Sequence, residues 1–350
     1  MDVGTQGLAS LIIARGLVPR APWRAWAVIV IAGSIANIDV VSAMVSPSAF
    51  IEWHRTYLHS ILFSLIVSLI LGTTYLLVSK ADARASRGAA EVRPYKEVAR
   101  GSVAAFLAAV LLAGLLHLAL DAAQPDGTMI FWPLSHQRVA LDWLPHIDAW
   151  IIAILLAALL LPELTRLVTD EIGARTRGAR GRVGAIIGLV ILALYVGLRA
   201  DLHSNAIATL QNRSYDTGRP HRIAAYADAT SPFLWHGIVE TERAMQELDV
   251  GIFAGSAFDS DSGVTLFKPE ASPALDQAQR TEAAKKFLAA AQFPKADIEK
   301  TADGYEVELR DLRYAGIGET RREIRARIDL DANGKILNDE LIWARNAKPR

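Results

Sequence analysis

His117 and Asp121, in the stretch AGLLHLALDAAQPDG, stand four residues apart, a spacing that puts both on one helical face one turn from each other. An imidazole and a carboxylate so placed supply two ligands to a divalent cation, as in metal sites built inside helical bundles. The imidazole suits zinc and the carboxylate a harder ion; the plain alternative is that the two side chains only hydrogen-bond each other. A second pair, His54 and His59 in EWHRTYLHS, lies five apart and needs a turn or a twisted helix to converge. Asp39, in SIANIDVVS, sits near the end of an apolar run, where a carboxylate is costly unless paired or bound to a cation. Asp39, His54, His59, His117 and Asp121 form the candidate metal set, with zinc the first choice of ion and manganese or magnesium the alternatives. Nearby, Arg55 and Arg138 would hold an anionic group or act as snorkelling anchors. Asp148 or His136 would shuttle protons.

These residues need elements to carry them. Windows of about 20 apolar residues fall at 25–45, 58–78, 101–122, 147–161 with its flanks, and 183–198, which predicts five transmembrane helices. The shorter run 7–18, interrupted by Arg15, reads as an interfacial or re-entrant helix. The first twenty residues lack the basic start and small-residue cleavage site of a signal peptide and read as retained. Fourteen lysines and arginines lie before the first span and in the 79–100 and 163–182 loops, against Arg55 and Arg138 in the other two. That asymmetry places the basic loops in the cytoplasm and the candidate site, with everything after residue 199, outside. Six of the eight histidines (His54, His59, His117, His136, His146 and His203) lie in or within a turn of the outward segments. Phe131, Trp132, Trp143 and Trp150 read as an aromatic belt. The balance of 37 basic and 37 acidic residues, with no basic block on the polar part, argues against nucleic acid as a partner, and the absence of cysteine removes any disulfide framework or thiolate site.

At the same residues the sequence resembles the YdjM-like family of bacterial inner-membrane proteins, described as metal-dependent hydrolases. The resemblance rests on Met1-Asp2 with Thr5, on Asn37-Ile38-Asp39, on His54-Arg55 with His59-Ser60, and on His117 and Asp121 followed by Gly127 and Trp132-Pro133. It covers roughly residues 1–160. Gln6 stands where the family usually has histidine, Asn37 where it has aspartate, and Tyr57-Leu58 replaces a short polar step, which removes one or two ligands. The resemblance implies a metal site and a hydrolytic reaction; a site at the membrane surface beside two arginines would take a lipid or lipid-linked ester or phosphoester.

From about Asp201 the chain turns polar. Segments 236–242, 245–253, 305–309, 325–330 and 336–342 read as strands, the last two joined through the turn signal at 331–335. Residues 273–293 read as one amphipathic helix. The expected architecture is a polytopic α-helical membrane domain, 1–200, followed by a periplasmic α+β domain, 201–350, with an antiparallel sheet and one helix. That domain carries no evident catalytic group and would serve as a lid or partner-binding module. Three functions compete: a membrane-bound metal-dependent hydrolase, a non-catalytic protein with a structural metal or polar helix staple, and a transporter. The transporter is the weakest, because the spans carry no evident internal repeat or broken midplane helix.

Overall fold

A computed structural model describes residues 1–85, 103–171, 181–252, 263–314 and 322–345. Much of the 79–100 and 163–182 loops, on which the predicted orientation rests, lies outside the described residues, as does most of the turn predicted at 259–263. The contacts divide the chain into two units, one of residues 1–38 and 55–200, the other of 39–54 and 201–350. The short segment 39–54 therefore groups with the polar part of the chain, a membership that sequence distance conceals.

In the first unit, α1 (Val3–Leu17) begins at Asp2, whose carboxylate accepts from the Thr5 amide at 2.9 Å and caps the orphan donors of the first turn. It is buried on most of its surface and packs against α2 (Trp23–Ala32), α5 (Val103–Ala122) and α6 (Ala149–Glu171). The run expected to be interfacial or re-entrant is thus a helix packed among its neighbours. Helices α4 (Ile61–Ala85), α5, α6 and α7 (Arg182–Gln211) are long and apolar enough to cross a membrane. The first predicted span is not straight: α2 and the 3-10 segment Ile35–Met44 are bent by 52° at the break between them. Among the described residues there are thus four candidate spans, or five counting the bent pair. Leucines, isoleucines and valines stay exposed along α4 and α7, as lipid-facing helices require, whereas Phe106, Ala109, Val110 and Ala113 bury α5 against α1 and α2.

The second unit holds two antiparallel four-stranded sheets. The first is ordered β1 (Arg222–Ala227), β2 (Leu234–Glu240), β3 (Ala244–Gly251), β4 (Val264–Phe267); the second is β5 (Pro294–Lys300), β6 (Gly304–Asp311), β7 (Arg322–Asp331), β8 (Ile336–Arg345). The expected single sheet is thus two, and β1, β4 and β5 were not predicted; PKADIEK alternates apolar with charged residues, but its proline, lysines and acidic residues have low strand propensity. The predicted helix 273–293 is also two: α8 (Pro273–Gln279) ends at Arg280 and α9 (Glu282–Ala290) restarts with Thr281 as its cap. Together they cover the second sheet through Leu275, Ala284 and Phe287 on Val307, Leu309 and Ile328. The predicted hairpin is present: Asp331 Oδ1 accepts from the amides of Asn333 and Lys335 at 2.8 Å, and Gly334 takes φ 81°.

Within this unit, α3 (Pro47–Trp53) packs against α9 and β8. Lys286 donates to Glu52 at 2.7 Å and to Ser48 at 3.0 Å, and the rings of Phe50 and Trp343 meet edge-on at 5.4 Å.

Candidate metal centre

The site is assembled in the first unit where α4 begins and α5 ends. Ser60 caps α4, its hydroxyl accepting from the Phe63 amide at 3.1 Å, which fixes His59 one residue before the helix. The turn ahead of it is held from the other side by Thr128, whose hydroxyl donates to the His59 carbonyl at 2.9 Å, and by the Ile61 amide, which donates to the Ile130 carbonyl at 3.0 Å. On α5, His117 and Asp121 occupy successive turns as their spacing predicts. His59, His117 and Asp121 are all buried, and one ligand atom from each lies within 4.8 Å of the others.

The geometry of that group is specific. His59 Nε2 lies 3.1 Å and His117 Nε2 3.2 Å from the same oxygen, Asp121 Oδ2. Two donor atoms each about 2.0–2.1 Å from a tetrahedral zinc stand about 3.3 Å apart, so both separations match edges of such a tetrahedron. His117 Nδ1 lies 2.8 Å from the Gly33 carbonyl, which can only accept, so Nδ1 carries a proton and Nε2 is the ring atom turned toward the carboxylate. Among the described residues, His117 Nε2 and Asp121 Oδ2 have no partner outside this group, so the buried atoms share either a proton or a cation. The donor set of two imidazoles and one carboxylate fits zinc with a fourth position left over.

The other carboxylate oxygen is held by its own partners. Asp121 Oδ1 accepts from the Met1 amino group and from Gln6 Nε2 at 3.3 Å, and lies 3.6 Å from Arg55 Nη2. Gln124 accepts from the Met1 amino group at 2.8 Å and from Arg55 at 2.5 Å. Its amide donates to the carbonyls of Pro145 and His146 at 3.0 and 3.2 Å. Such outer partners orient ligands and tune the ion.

The remaining candidates do not belong to that ligand group. Asp39 and His54 belong to the second unit, where Asp39 Oδ1 and His54 Nδ1 meet at 3.2 Å and the His54 ring stacks on Phe50 at 4.3 Å. Arg55 is buried, flanked by Asp121, Asp126 and Gln124, and its φ of 56° lies in the left-handed region that non-glycine residues seldom adopt outside functional or constrained sites. His136 is exposed and Arg138 half-buried in the loop after α5. Asp148 is buried and caps α6, accepting from the amides of Trp150 at 2.9 Å and Ile151 at 3.1 Å and from the Tyr195 hydroxyl at 3.0 Å.

Sequence reading missed Gln124, Thr128, the Gly33 carbonyl and the pair Asp126–His146, which meet at 2.7 Å. Gln124, Asp126 and Thr128 follow Asp121 within seven residues, so the dense polar run after the helix end was the available signal. A backbone carbonyl leaves no trace in side-chain types.

The fold and site together define a polytopic helical membrane protein with a buried two-histidine, one-aspartate cluster at the ends of its helices and a polar α+β domain. The model of the YdjM inner membrane protein family matches residues 1–205, more than half of the chain, and the chain belongs to that family. The YfhP C-terminal alpha/beta plait domain matches residues 273–349, spanning α8, α9 and the second sheet. No curated protein and no solved structure matches the chain.

Proposed function

We propose that the protein is a membrane-bound metal-dependent hydrolase that acts at the outer face of the inner membrane on a lipid or lipid-linked ester or phosphoester. The observation that supports this reading is the convergence of His59 Nε2 and His117 Nε2 on one oxygen of Asp121 at tetrahedral spacing, three protein ligands where a catalytic zinc takes three. When bound, a zinc ion supplies a Lewis acid able to activate water near neutral pH. The chain's own residues do the rest of the positioning: Gly33 holds the His117 tautomer, Gln6 and the Met1 amino group fix Asp121, and Thr128 fixes the turn that carries His59. The outward orientation, with a periplasmic polar domain, rests on the basic-loop asymmetry. The lipid-type substrate rests on a site at the ends of membrane-capable helices.

One observation favours a second reading, a non-catalytic protein with a structural metal or helix staple. His59 and Asp121 are 0% exposed and His117 2%, the closed character typical of structural sites. Metal content of the detergent-purified chain, beside a His59→Ala, His117→Ala double variant of equal thermal stability, tests both readings. Stoichiometric zinc or manganese lost in the variant supports a metal centre. Turnover of lipid phosphoesters by the loaded wild type then favours hydrolysis, and its absence the structural role. Negligible metal in wild type and variant alike, even after reconstitution, eliminates the hydrolase mechanism.

A further inference from the structure

Arg55 lies between two carboxylates. Its Nη2 stands 3.6 Å from Asp121 Oδ1 and its Nη1 3.9 Å from Asp126 Oδ2. A guanidinium beside a ligand carboxylate opposes a metal cation, because it competes for the same negative charge. The second carboxylate divides that charge. We propose that Asp126, held by His146, sets the metal affinity of the centre by drawing the Arg55 charge away from Asp121; this rests on the metal reading above.

Three independent contacts fix the arrangement. His146 Nε2 meets the same Asp126 oxygen that faces Arg55, at 2.7 Å. The Arg55 backbone is locked at φ 56°, its carbonyl accepting from the Met129 amide at 3.2 Å and the Thr128 hydroxyl at 3.4 Å. Gln124 accepts from Arg55 while donating to the backbone of His146, so one side chain ties the guanidinium to the residue that orients Asp126. Asp126 and His146 are positioning residues, and neither belongs to the ligand group.

The test is the zinc dissociation constant of the detergent-purified full chain, measured by chelator competition for wild type, Asp126→Asn, Arg55→Gln, the Arg55→Gln, Asp126→Asn double variant, and His146→Gln. With Asp126 neutral, more of the Arg55 charge bears on Asp121, and zinc binding weakens about tenfold, as loss of an outer-shell partner does. Removing Arg55 as well restores the wild-type value, a reversal that a merely structural role for Asp126 would not produce. His146→Gln weakens binding in the same direction by a smaller factor and carries the comparison where Asp126→Asn fails to fold. Wild-type zinc binding with no change in either single variant at this pair, or a double variant as weak as Asp126→Asn, overturns the proposal and leaves the metal reading intact. A wild type that binds no zinc removes both.

Discussion

Gly33 carries the anchor of the candidate centre although it has no side chain. Its carbonyl holds His117 Nδ1, and a Cβ at this position would lie 2.0 Å from Ser10 Oγ and 3.2 Å from Ala113 Cβ. The Ser10 hydroxyl can rotate, but the helix-to-helix crowding at Ala113 cannot be relieved without shifting the end of α2. Gly33→Ala is therefore expected to weaken zinc binding by about 10–100-fold while the helix content stays, read by chelator competition beside circular dichroism. Gly197, whose added Cβ would meet nothing within 4 Å, is the matched control, and Gly197→Ala should leave affinity unchanged. At this scale the sequence was legible where function follows local spacing. His117 and Asp121 announce themselves because i, i+4 is a helical repeat. The partition of the two histidines of EWHRTYLHS, with His59 beside Asp121 and His54 beside Asp39, depends on a left-handed turn at Arg55 and on tertiary packing, neither of which residue type encodes.

Elements are held to one another by buried polar caps as much as by apolar faces. Asp148 starts α6 and accepts the Tyr195 hydroxyl from α7. Asp148→Ala should lower stability in detergent by about 2 kcal/mol, from the lost cap and the orphaned hydroxyl, with Asp148→Asn retaining most of it; thermal unfolding reads the difference. In the second sheet, burial of Glu323 on β7 raises its carboxyl above the ordinary glutamate range, against the pull of Arg325. A folded-state pKa above the unfolded one means the native state binds the extra proton. Its contribution to stability is present at low pH and is lost as pH rises from the unfolded value through the raised one. Glu323→Gln should flatten that part of the pH profile, followed by hydrogen exchange of β7; an unchanged slope would show that another group governs it. Hydropathy found the helices α4 to α7 because length and apolarity suffice for a span, but it read 25–45 as continuous, since nothing in mean hydropathy marks the bend of 52° after α2.

For the whole molecule, the division into two units is not a division of the chain into two consecutive pieces. Residues 39–54 belong with 201–350, so the backbone passes from one unit to the other after Ile38, after His54 and after Ala200. The ion pair of Lys286 with Glu52 raises the lysine and lowers the glutamate, each the main cause of the other's shift. Lys286→Glu is expected to expose α3 to protease, and Glu52→Lys on that background to restore protection, with cleavage near Trp53 as the readout. Equal cleavage of single and double variants would mean that the Phe50–Trp343 contact alone holds the helix. Composition made the polar domain and its start near Asp201 plain. The membership of 39–54 was hidden because its start, DVVSAMV, reads as the end of a membrane helix.

The interval between Glu52 and Lys286 is 234 residues. A chain emerging at about 5–20 residues per second finishes α3 at least ten seconds before its lysine partner exists. Four membrane-capable helices are made in that interval. During it Phe50 has no Trp343 to meet, and closing so distant a contact comes late and slowly. Biogenesis therefore has a fixed order: a truncation at residue 200 yields a permanent early intermediate, a membrane unit whose inserted segment still awaits the last 150 residues of the chain.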